Sequence, residues 1–407
     1  MSETIDSTLD ERFADAMMGT FAPPLAFLDH GEGAYVWDVD GKRYLDFLGG
    51  IAVNSLGHAH PVFVEAVSEQ AAKLAHVSNY FASRPQLALA ETLKRISGAG
   101  DEGRVIFGNS GAEAMEAAFK LARLNCTGRR TRILTLKGSF HGRTMGSLSL
   151  TGQPALQKAF APLVPGVEHI DPSLEALEAA VDETVAAVIF EPIQGEAGVV
   201  DLPEGFVARA RELTTTHAAL LIIDEIQTGV GRTGTWFAFE QFGVTPDAIA
   251  VAKGLAGGFP IGALVTFGEA SALLQRGHHG STFGGNPLAT TVGGAVLGEI
   301  ESAGLIGNAG RRGEQIRALV AGLGSPHISA VRGRGLLIGI GLTEPRAKEL
   351  SSAALELGLI INAPNDHSIR IAPPLIVGDT EVDEFGRLFA AALASLDSSN
   401  DSAGAHS

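Results

Sequence analysis

The chain has 407 residues, of which 45% are hydrophobic and 51 are glycine, and its formal net charge is −16. This length exceeds one ordinary domain and predicts two or three lobes. The negative charge argues against a nucleic-acid surface, and the single cysteine, Cys126, excludes an internal disulfide and a cysteine-based zinc cluster.

The N-terminal segment is acidic and lacks the basic region and apolar run of a secretory signal. No apolar run approaches the roughly 18 residues that a membrane helix needs, so the expected location is the cytoplasm. Residues 1 to about 20 predict a mobile arm with a short helix. Residues 34–47, which flank Asp40 and Gly41, predict a β-hairpin in a small lobe.

An anion site is predicted where the strand at residues 104–107 ends. Ser110, Gly111 and Ala112 follow it and open a helix, and Ser110 and Glu113 have the spacing of a capping box. Backbone N–H groups at a helix start attract anions, and small residues let a phosphate approach closely. The alternative is an ordinary capped helix without a ligand. Asp224 and Lys253, later in the chain, favour the phosphate site.

Two later strands end in polar segments with candidate functional residues. Residues 132–136 lead to Arg143, whose planar guanidinium can grip a carboxylate with two prongs. Residues 185–190 are continuously apolar, as expected for a sheet covered on both faces, and lead to Glu191 and Glu196. Paired carboxylates suggest acid and base work.

A carboxylate and a lysine follow the next two strands. Residues 220–223 precede Asp224, and residues 248–252 precede Lys253. Parallel strands end at one edge of a sheet, where open α/β sheets bind ligands, so these side chains are expected to meet there.

Schiff-base chemistry would suit this pair. Partial desolvation lowers the pKa of a lysine and frees its amine as a nucleophile, and an aspartate beside a pyridine nitrogen keeps that nitrogen protonated. Taken alone, however, a lysine after a strand is usually solvated and an aspartate there is often a helix cap.

The remaining elements complete the sheet and a second lobe. The apolar run at residues 261–267 begins eight residues after Lys253, whereas a parallel crossover needs a dozen or more, so this strand is expected to be antiparallel. The glycine-rich run at residues 331–342 predicts strands around a tight turn, and a later strand carries Arg370 back toward the site. Residues 397–407 are polar and expected to be disordered.

Three long motifs carry a family resemblance: DEIQTGVGRTG at residues 224–234, PDAIAVAKGLAGGFPIGA at 246–263 and GSTFGGNPLA at 280–289. The chain resembles class III pyridoxal-phosphate-dependent aminotransferases and, within them, is most similar to acetylornithine aminotransferases. The match is collinear from about Phe21 to Pro374. It implies pyridoxal 5'-phosphate as cofactor and a homodimer with shared active sites.

The same resemblance implies the fold and its domains. The expected fold is α/β, PLP-dependent transferase fold type I, with a mostly parallel seven-stranded sheet, one antiparallel strand and a small lobe built from the N- and C-terminal segments. The expected parts are the arm and hairpin (1–52), the large cofactor-binding domain (53–295), the C-terminal small domain (296–396) and the tail (397–407).

Functional residues are implied by the same motifs. Those implied in catalysis are Lys253 as the Schiff-base lysine, Asp224 at the pyridine nitrogen, and Glu196, which pairs with Arg370 until a substrate α-carboxylate arrives. The implied cofactor contacts are Asp224, Lys253, Ser110, Gly111, Ala112, Phe140 stacking on the ring, His141, Gln227, and Thr282 reaching the neighbouring subunit's phosphate. The implied substrate contacts are Arg143, Arg370, Ser78, Asn79, Ser281 and Glu191. The histidine pairs at 58/60 and 278/279 are interpreted as turn or loop residues, so no metal is expected.

The substrate is predicted from one position and one short segment. Ornithine aminotransferases have a tyrosine where Ile51 stands, and an isoleucine offers no hydrogen bond to a free ammonium, which is costly to bury without a partner. An N-acyl substrate carries no such charge, and Ser78 and Asn79 could satisfy its amide. N-acetylornithine is therefore expected as donor and 2-oxoglutarate as acceptor. The alternatives are a succinyldiaminopimelate, ornithine or 4-aminobutyrate aminotransferase, an aminomutase of the same fold, or a non-catalytic protein.

Overall fold

The structure is a computed structural model that describes the backbone of residues 8–403 and the side chains of residues 8–397. Its α-helices in this part of the chain are α1 (Leu9–Ala16), α2 (Gly49–Ala52), α3 (Pro61–Lys73), α4 (Arg84–Ser97), α5 (Gly111–Leu124), α6 (Met145–Leu150), α7 (Pro154–Gln157), α8 (Leu174–Ala180), α9 (Phe206–Thr216), α10 (Pro287–Ser302), α11 (Leu305–Gly322), α12 (Ala347–Glu356) and α13 (Asp379–Ala403). Among these residues, no helix is both long and apolar enough to cross a membrane.

The strands of the same residues form the sheets described below. They are β1 (Leu28–Glu32), β2 (Tyr35–Asp38), β3 (Arg43–Asp46), β4 (Arg104–Gly108), β5 (Arg132–Leu136), β6 (Val167–Ile170), β7 (Val185–Phe190), β8 (Ile193–Gln194), β9 (Val200–Asp201), β10 (Leu220–Asp224), β11 (Ala248–Val251), β12 (Gly262–Thr266), β13 (Ile328–Arg334), β14 (Leu337–Leu342), β15 (Leu359–Ile360), β16 (Asn362–Asn365) and β17 (Ser368–Ile371).

The central sheet has seven strands in the order β4-β12-β11-β10-β7-β5-β6. Strand β12 runs antiparallel to both β4 and β11, while β11, β10, β7, β5 and β6 pair in parallel. All six residues of β7 are buried, as expected where helices cover both faces. The prediction of one antiparallel strand in an otherwise parallel sheet is confirmed.

The small lobe uses both ends of the chain. The hairpin β2–β3 turns where Asp38 accepts backbone N–H bonds from Asp40 (3.1 Å) and Lys42 (2.8 Å) and Gly41 takes a φ of +81°. Strand β3 then pairs in parallel with β15 from the C-terminal part of the chain. The predicted hairpin and the predicted composition of the small lobe are both confirmed.

The C-terminal lobe adds an antiparallel sheet in the order β13-β14-β17-β16. Helix α10 runs without interruption across the predicted domain boundary at 295/296, so a helix rather than a loose linker joins the lobes. Helix α13 extends into the predicted tail as far as Ala403, and residues 404–407 lie outside the described residues. The short N-terminal helix is present as α1, and the predicted mobile arm lies partly in residues 1–7, which the structure does not describe.

Candidate active site

The ends of β10 and β11 bring the two candidate catalytic residues together. Asp224, the last residue of β10, lies beside Ala250 of β11 in parallel register. Lys253 follows two residues after β11 ends, in a left-handed backbone conformation with a φ of +46° that few non-glycine residues adopt. The two strands therefore deliver a carboxylate and an amine to one edge of the sheet.

A cavity of about 370 Å³ opens at this edge. Its walls include ten of the residues predicted for the site: Ser110, Gly111, Ala112, Phe140, His141, Arg143, Glu191, Asp224, Gln227 and Lys253. The structure thus brings most of the predicted cofactor contacts into one chamber.

Asp224 is almost fully buried and held by two partners. One carboxylate oxygen lies 2.8 Å from Nδ1 of His141, and the other accepts a bond from the backbone N–H of Ile226 (3.0 Å). The second ring nitrogen of His141 lies 3.2 Å from the hydroxyl of Thr135. His141 therefore orients Asp224, and Thr135, which the motifs did not single out, orients His141.

The environment of Lys253 favours its neutral amine. Burial lowers the pKa of Lys253 from the ordinary 10.5 to about 8, and the positive charge of Arg370 acts in the same direction. The carboxylates of Glu196, Glu191 and Asp224 oppose this shift. With this pKa roughly a tenth of the amine is neutral at pH 7, far more than for an ordinary lysine, and the neutral amine is the nucleophile.

The first turn of α5 forms one end of the cavity. The Ser110 hydroxyl accepts a bond from the Glu113 backbone N–H (3.2 Å), as predicted for a cap. The capping box is incomplete, because the Glu113 carboxylate accepts instead from the backbone N–H of Asn109 (2.8 Å). A Cβ at Gly111 would lie 2.9 Å from Cδ1 of Ile226, so a larger residue there would require the Ile226 side chain to shift.

Glu191 is buried behind the ring-stacking position. Its carboxylate accepts bonds from the backbone N–H groups of Phe140 (3.0 Å) and Gly195 (3.3 Å). Burial raises the pKa of Glu191 to about 7, and the neighbouring charge of Asp224 contributes to the rise. Although it was predicted as a substrate contact, Glu191 also fixes the backbone that presents Phe140 to the cavity.

The two candidate carboxylate-binding arginines have different surroundings. Arg370 is 1% exposed and donates to Glu196 (2.5 Å), Asn362 (2.9 Å) and Gln227 (3.3 Å). Arg143 is exposed at the cavity mouth, with its guanidinium 5.6 Å from the centre of the Phe140 ring. One arginine is thus neutralised by a carboxylate, and the other faces the opening.

Six predicted site residues do not line this cavity: Arg370 and Glu196 lie behind it, where Arg370 contacts the lining residue Gln227, and the other four lie elsewhere. Ser78, Asn79, Ser281 and Thr282 line a separate cavity of about 930 Å³. Asn79 uses its amide to donate to the backbone carbonyls of Ser281 (2.8 Å) and Gly284 (3.0 Å). Within one chain, these residues do not join the cavity of Lys253.

Ile51 is also absent from the walls of the Lys253 cavity. It is 40% exposed and takes a left-handed conformation with a φ of +67°. Val53, two residues later, does line the cavity, so the loop that carries Ile51 borders the site.

Some residues of the site were not assigned a role from the sequence. They are Thr135 and Asn362 behind the site and Val53, Phe259 and Pro260 in the cavity wall. Asn362 and Thr135 lie in strands, where a polar side chain has no local signature of its partner. Phe259 and Pro260 follow a pair of glycines in the sequence, but this pattern does not indicate which residues or cavity they contact.

Comparison with known proteins identifies the family. The model of the aminotransferase class-III family matches residues 18–393. The chain belongs to the class III aminotransferases. Enzymes of this family use pyridoxal phosphate, which is therefore the cofactor of this chain, and the residues around Lys253 fit such a group: a helix start, an aromatic face, a buried carboxylate and an amine of lowered pKa.

Individual members of the family are similar over nearly the whole chain. An acetylornithine aminotransferase of Streptomyces coelicolor is 53% identical over 381 residues, which are 93% of each chain. The structure of an N-acetylornithine aminotransferase from Stenotrophomonas maltophilia has a TM-score of 0.83 at 36% identity, covering 96% of this chain and all of that one. An ornithine aminotransferase from Toxoplasma gondii, with partial occupancy of PLP at its active site, has a TM-score of 0.90 at 32% identity, covering 96% of this chain and 95% of that one.

The lowered pKa of Lys253 predicts the pH dependence of its reactivity in this class III aminotransferase. In cofactor-free protein, acetylation of Lys253 by trace acetic anhydride is expected to rise with a midpoint near pH 8, because the neutral amine is the reactive form. Mass spectrometry of the peptide that carries Lys253, across pH 6 to 11 in steps of about one unit, gives the profile. Arg370→Met is expected to move the midpoint upward by removing a like charge, and a wild-type midpoint near 10.5 contradicts the burial argument.

Proposed function

We propose that this aminotransferase moves the δ-amino group of N2-acetyl-L-ornithine to 2-oxoglutarate. The products are N-acetyl-L-glutamate 5-semialdehyde and L-glutamate, a step of L-arginine biosynthesis. The observation that carries the proposal is a pair of arginines: Arg143 is exposed in the cavity wall, and Arg370 lies behind the lining residue Gln227 and is bound to Glu196. Relatives about 50% identical that bear the name acetylornithine aminotransferase support the choice of substrate.

Residues of the cavity would hold the cofactor and control proton transfer at it. Pyridoxal phosphate, when bound, supplies a ring that withdraws electrons from the carbon next to the substrate nitrogen. The N–H groups at Gly111 and Ala112 would bind the phosphate, Phe140 would lie against the ring, and Asp224 would keep the pyridine nitrogen protonated. Lys253 would attach the cofactor, and its Nζ would accept and return the proton of the substrate carbon.

Two carboxylate sites explain how one cavity serves two different substrates. Arg143 binds the carboxylate at the far end of either substrate. While N-acetylornithine is bound, its uncharged methylene chain lies near Arg370, and Glu196 neutralises that arginine. When 2-oxoglutarate binds, its α-carboxylate displaces Glu196 and takes the bonds of Arg370.

The acetylated donor suits a site without a partner for a second ammonium group. The Ile51 side chain offers no hydrogen bond, and Val53, which directly follows α2, lines the cavity. A free α-ammonium group of ornithine that reached this turn would find no partner in the Ile51 side chain. The ornithine aminotransferases among the structural neighbours make ornithine the nearest competing donor.

The substrate proposal is tested with four donors assayed side by side against 2-oxoglutarate. N-acetylornithine is expected to exceed ornithine and 4-aminobutyrate by a factor of about 10² in kcat/KM, a discrimination that pocket polarity can supply. N-succinyldiaminopimelate is the fourth donor, since the same contacts suit its acylated end. Ornithine turning over as well as N-acetylornithine would overturn the proposal, and Ile51→Tyr is expected to gain ornithine activity.

We also propose that the working unit is a homodimer with shared sites in the cytoplasm. The separate cavity that contains Ser281 and Thr282 is flanked by exposed aromatic side chains: Tyr80 is 94%, Phe81 70% and Phe283 60% exposed. Exposed apolar clusters of this kind mark interaction surfaces. In the dimer, Thr282 of one subunit binds the cofactor phosphate of the other.

Mixed dimers test this arrangement. Lys253→Ala and Thr282→Ala are each expected to impair both sites of their own homodimer. Mixing the two variants under conditions of subunit exchange creates dimers with one intact site, so activity is expected to rise toward roughly a quarter of the wild-type value. An active monomer by sedimentation, or a mixture no more active than its parents after confirmed exchange, contradicts the shared site.

A further inference from the structure

The glycine-rich strands β13 and β14 lie against the loop that carries Glu196. We call residues 195–199 the Glu196 loop. Arg332 of β13 donates from Nε to the carbonyls of Gly198 (3.1 Å) and Val199 (2.9 Å), and from Nη2 to Gly198 again (2.6 Å). The same guanidinium donates to the hydroxyl of Ser368 (2.8 Å), two residues before Arg370. One side chain thus ties the Glu196 loop to the strand of Arg370.

Glycines make this close approach possible. A Cβ on Gly339 would lie 2.5 Å from the carbonyl oxygen of Gly198, and a Cβ on Gly341 would lie 2.9 Å from Arg332. Gly198 itself has a φ of +106°, and a Cβ there would lie 2.6 Å from the Ser368 hydroxyl. The alternating glycines of β14 therefore form the groove in which the guanidinium and the loop lie.

Other contacts hold the same loop from the same lobe. The Asn365 side chain donates to the carbonyl of Ala197 (2.9 Å). Val199 is buried in a small apolar cluster with Ala52, Ile193, Leu337 and Ala372, although its φ is +58°. A β-branched residue in this conformation is strained, and surrounding contacts must hold it there.

We propose that Arg332 is a positioning residue that holds the Glu196 loop where Glu196 neutralises Arg370, and thereby sets the balance between the two half-reactions. This inference rests on the proposed function. Arg332 does not line the Lys253 cavity. It acts through the backbone of Gly198 and Val199, and so through Glu196.

The direction of the effect follows from the two roles of Arg370. A looser Glu196 leaves Arg370 buried and poorly paired beside the uncharged chain of the amino donor, which penalises the donor half-reaction. In the 2-oxoglutarate half-reaction the substrate α-carboxylate displaces Glu196 in any case. A less firmly held Glu196 therefore does not slow that half-reaction. If Arg332 only stabilised the fold, replacing it would slow both half-reactions equally.

The test compares Arg332→Gln with wild-type holoenzyme in separate half-reactions, followed by the absorbance of the cofactor. The ratio of kcat/KM for N-acetylornithine to that for 2-oxoglutarate is expected to fall about tenfold, in the range of couplings between neighbouring groups. Arg332→Lys is expected to restore part of the ratio, because lysine can still donate to the loop carbonyls. Arg334→Gln is the matched control, since Arg334 lies on the same strand but donates to Asp201 and Gln241.

Binding without turnover gives a second readout. Glutarate carries two carboxylates and N-acetyl-L-norvaline carries one, and neither has a reacting group. Titration calorimetry is expected to show that Arg332→Gln tightens glutarate relative to N-acetyl-L-norvaline, while Arg334→Gln leaves the ratio unchanged.

The outcomes separate this inference from the proposed function. A wild-type enzyme that fails to use N-acetylornithine overturns the proposed function. A wild-type enzyme that uses it, with both half-reactions and both ligands equally affected in Arg332→Gln, overturns the positioning role alone. Thermal melting checks that Arg332→Gln is folded. If Arg332→Gln does not fold, Arg332→Lys is used in its place in both comparisons.

Discussion

The parallel pairing of β10 with β11 is the constraint on which the rest of the site depends. Because the two strands run in the same direction in neighbouring positions, Asp224 and Lys253 emerge at one edge of the sheet. The antiparallel β12 then returns beside β11 and places β4, with the helix start at Ser110, at the same edge. A reversal of either pairing would separate the amine, the carboxylate and the anion site.

Burial at that edge determines the charges that the site can hold. It raises the pKa of Glu191 to about 7 and lowers the pKa of Lys253 to about 8. Arg370 is buried and paired with Glu196, and removing one partner from a buried ion pair is strongly destabilising. The bond between Arg370 and Glu196 therefore has to be replaced, rather than simply broken, when a substrate carboxylate arrives.

Much of the fold and the main cavity could be predicted from the sequence. The short spacing of eight residues between Lys253 and the next apolar run predicted the antiparallel strand. Abrupt changes from apolar to charged residues predicted where the strands end. Other features depend on partners distant in the chain. His141 contacts Asp224, 83 positions away, and Arg332 donates to Gly198, 134 positions away; neither contact has a local sequence signal.

Two further features could not be predicted from local composition or spacing. Residues 397–403 are largely polar, yet they continue α13, whose earlier residues Phe385 and Phe389 are buried. The positions of Ser78 and Thr282 away from the Lys253 cavity could not be predicted from spacing, because residues in loops have no periodicity that indicates which cavity they line.

Attachment of the cofactor to Lys253 is the central claim, and chemical trapping tests it most directly. Borohydride reduction of the cofactor-loaded protein, followed by digestion and mass spectrometry, is expected to find the pyridoxyl group on the peptide that contains Lys253. Lys253→Ala is the control, and it should keep the fold while losing the label. A pyridoxyl group on a different lysine of the wild-type protein would contradict the account.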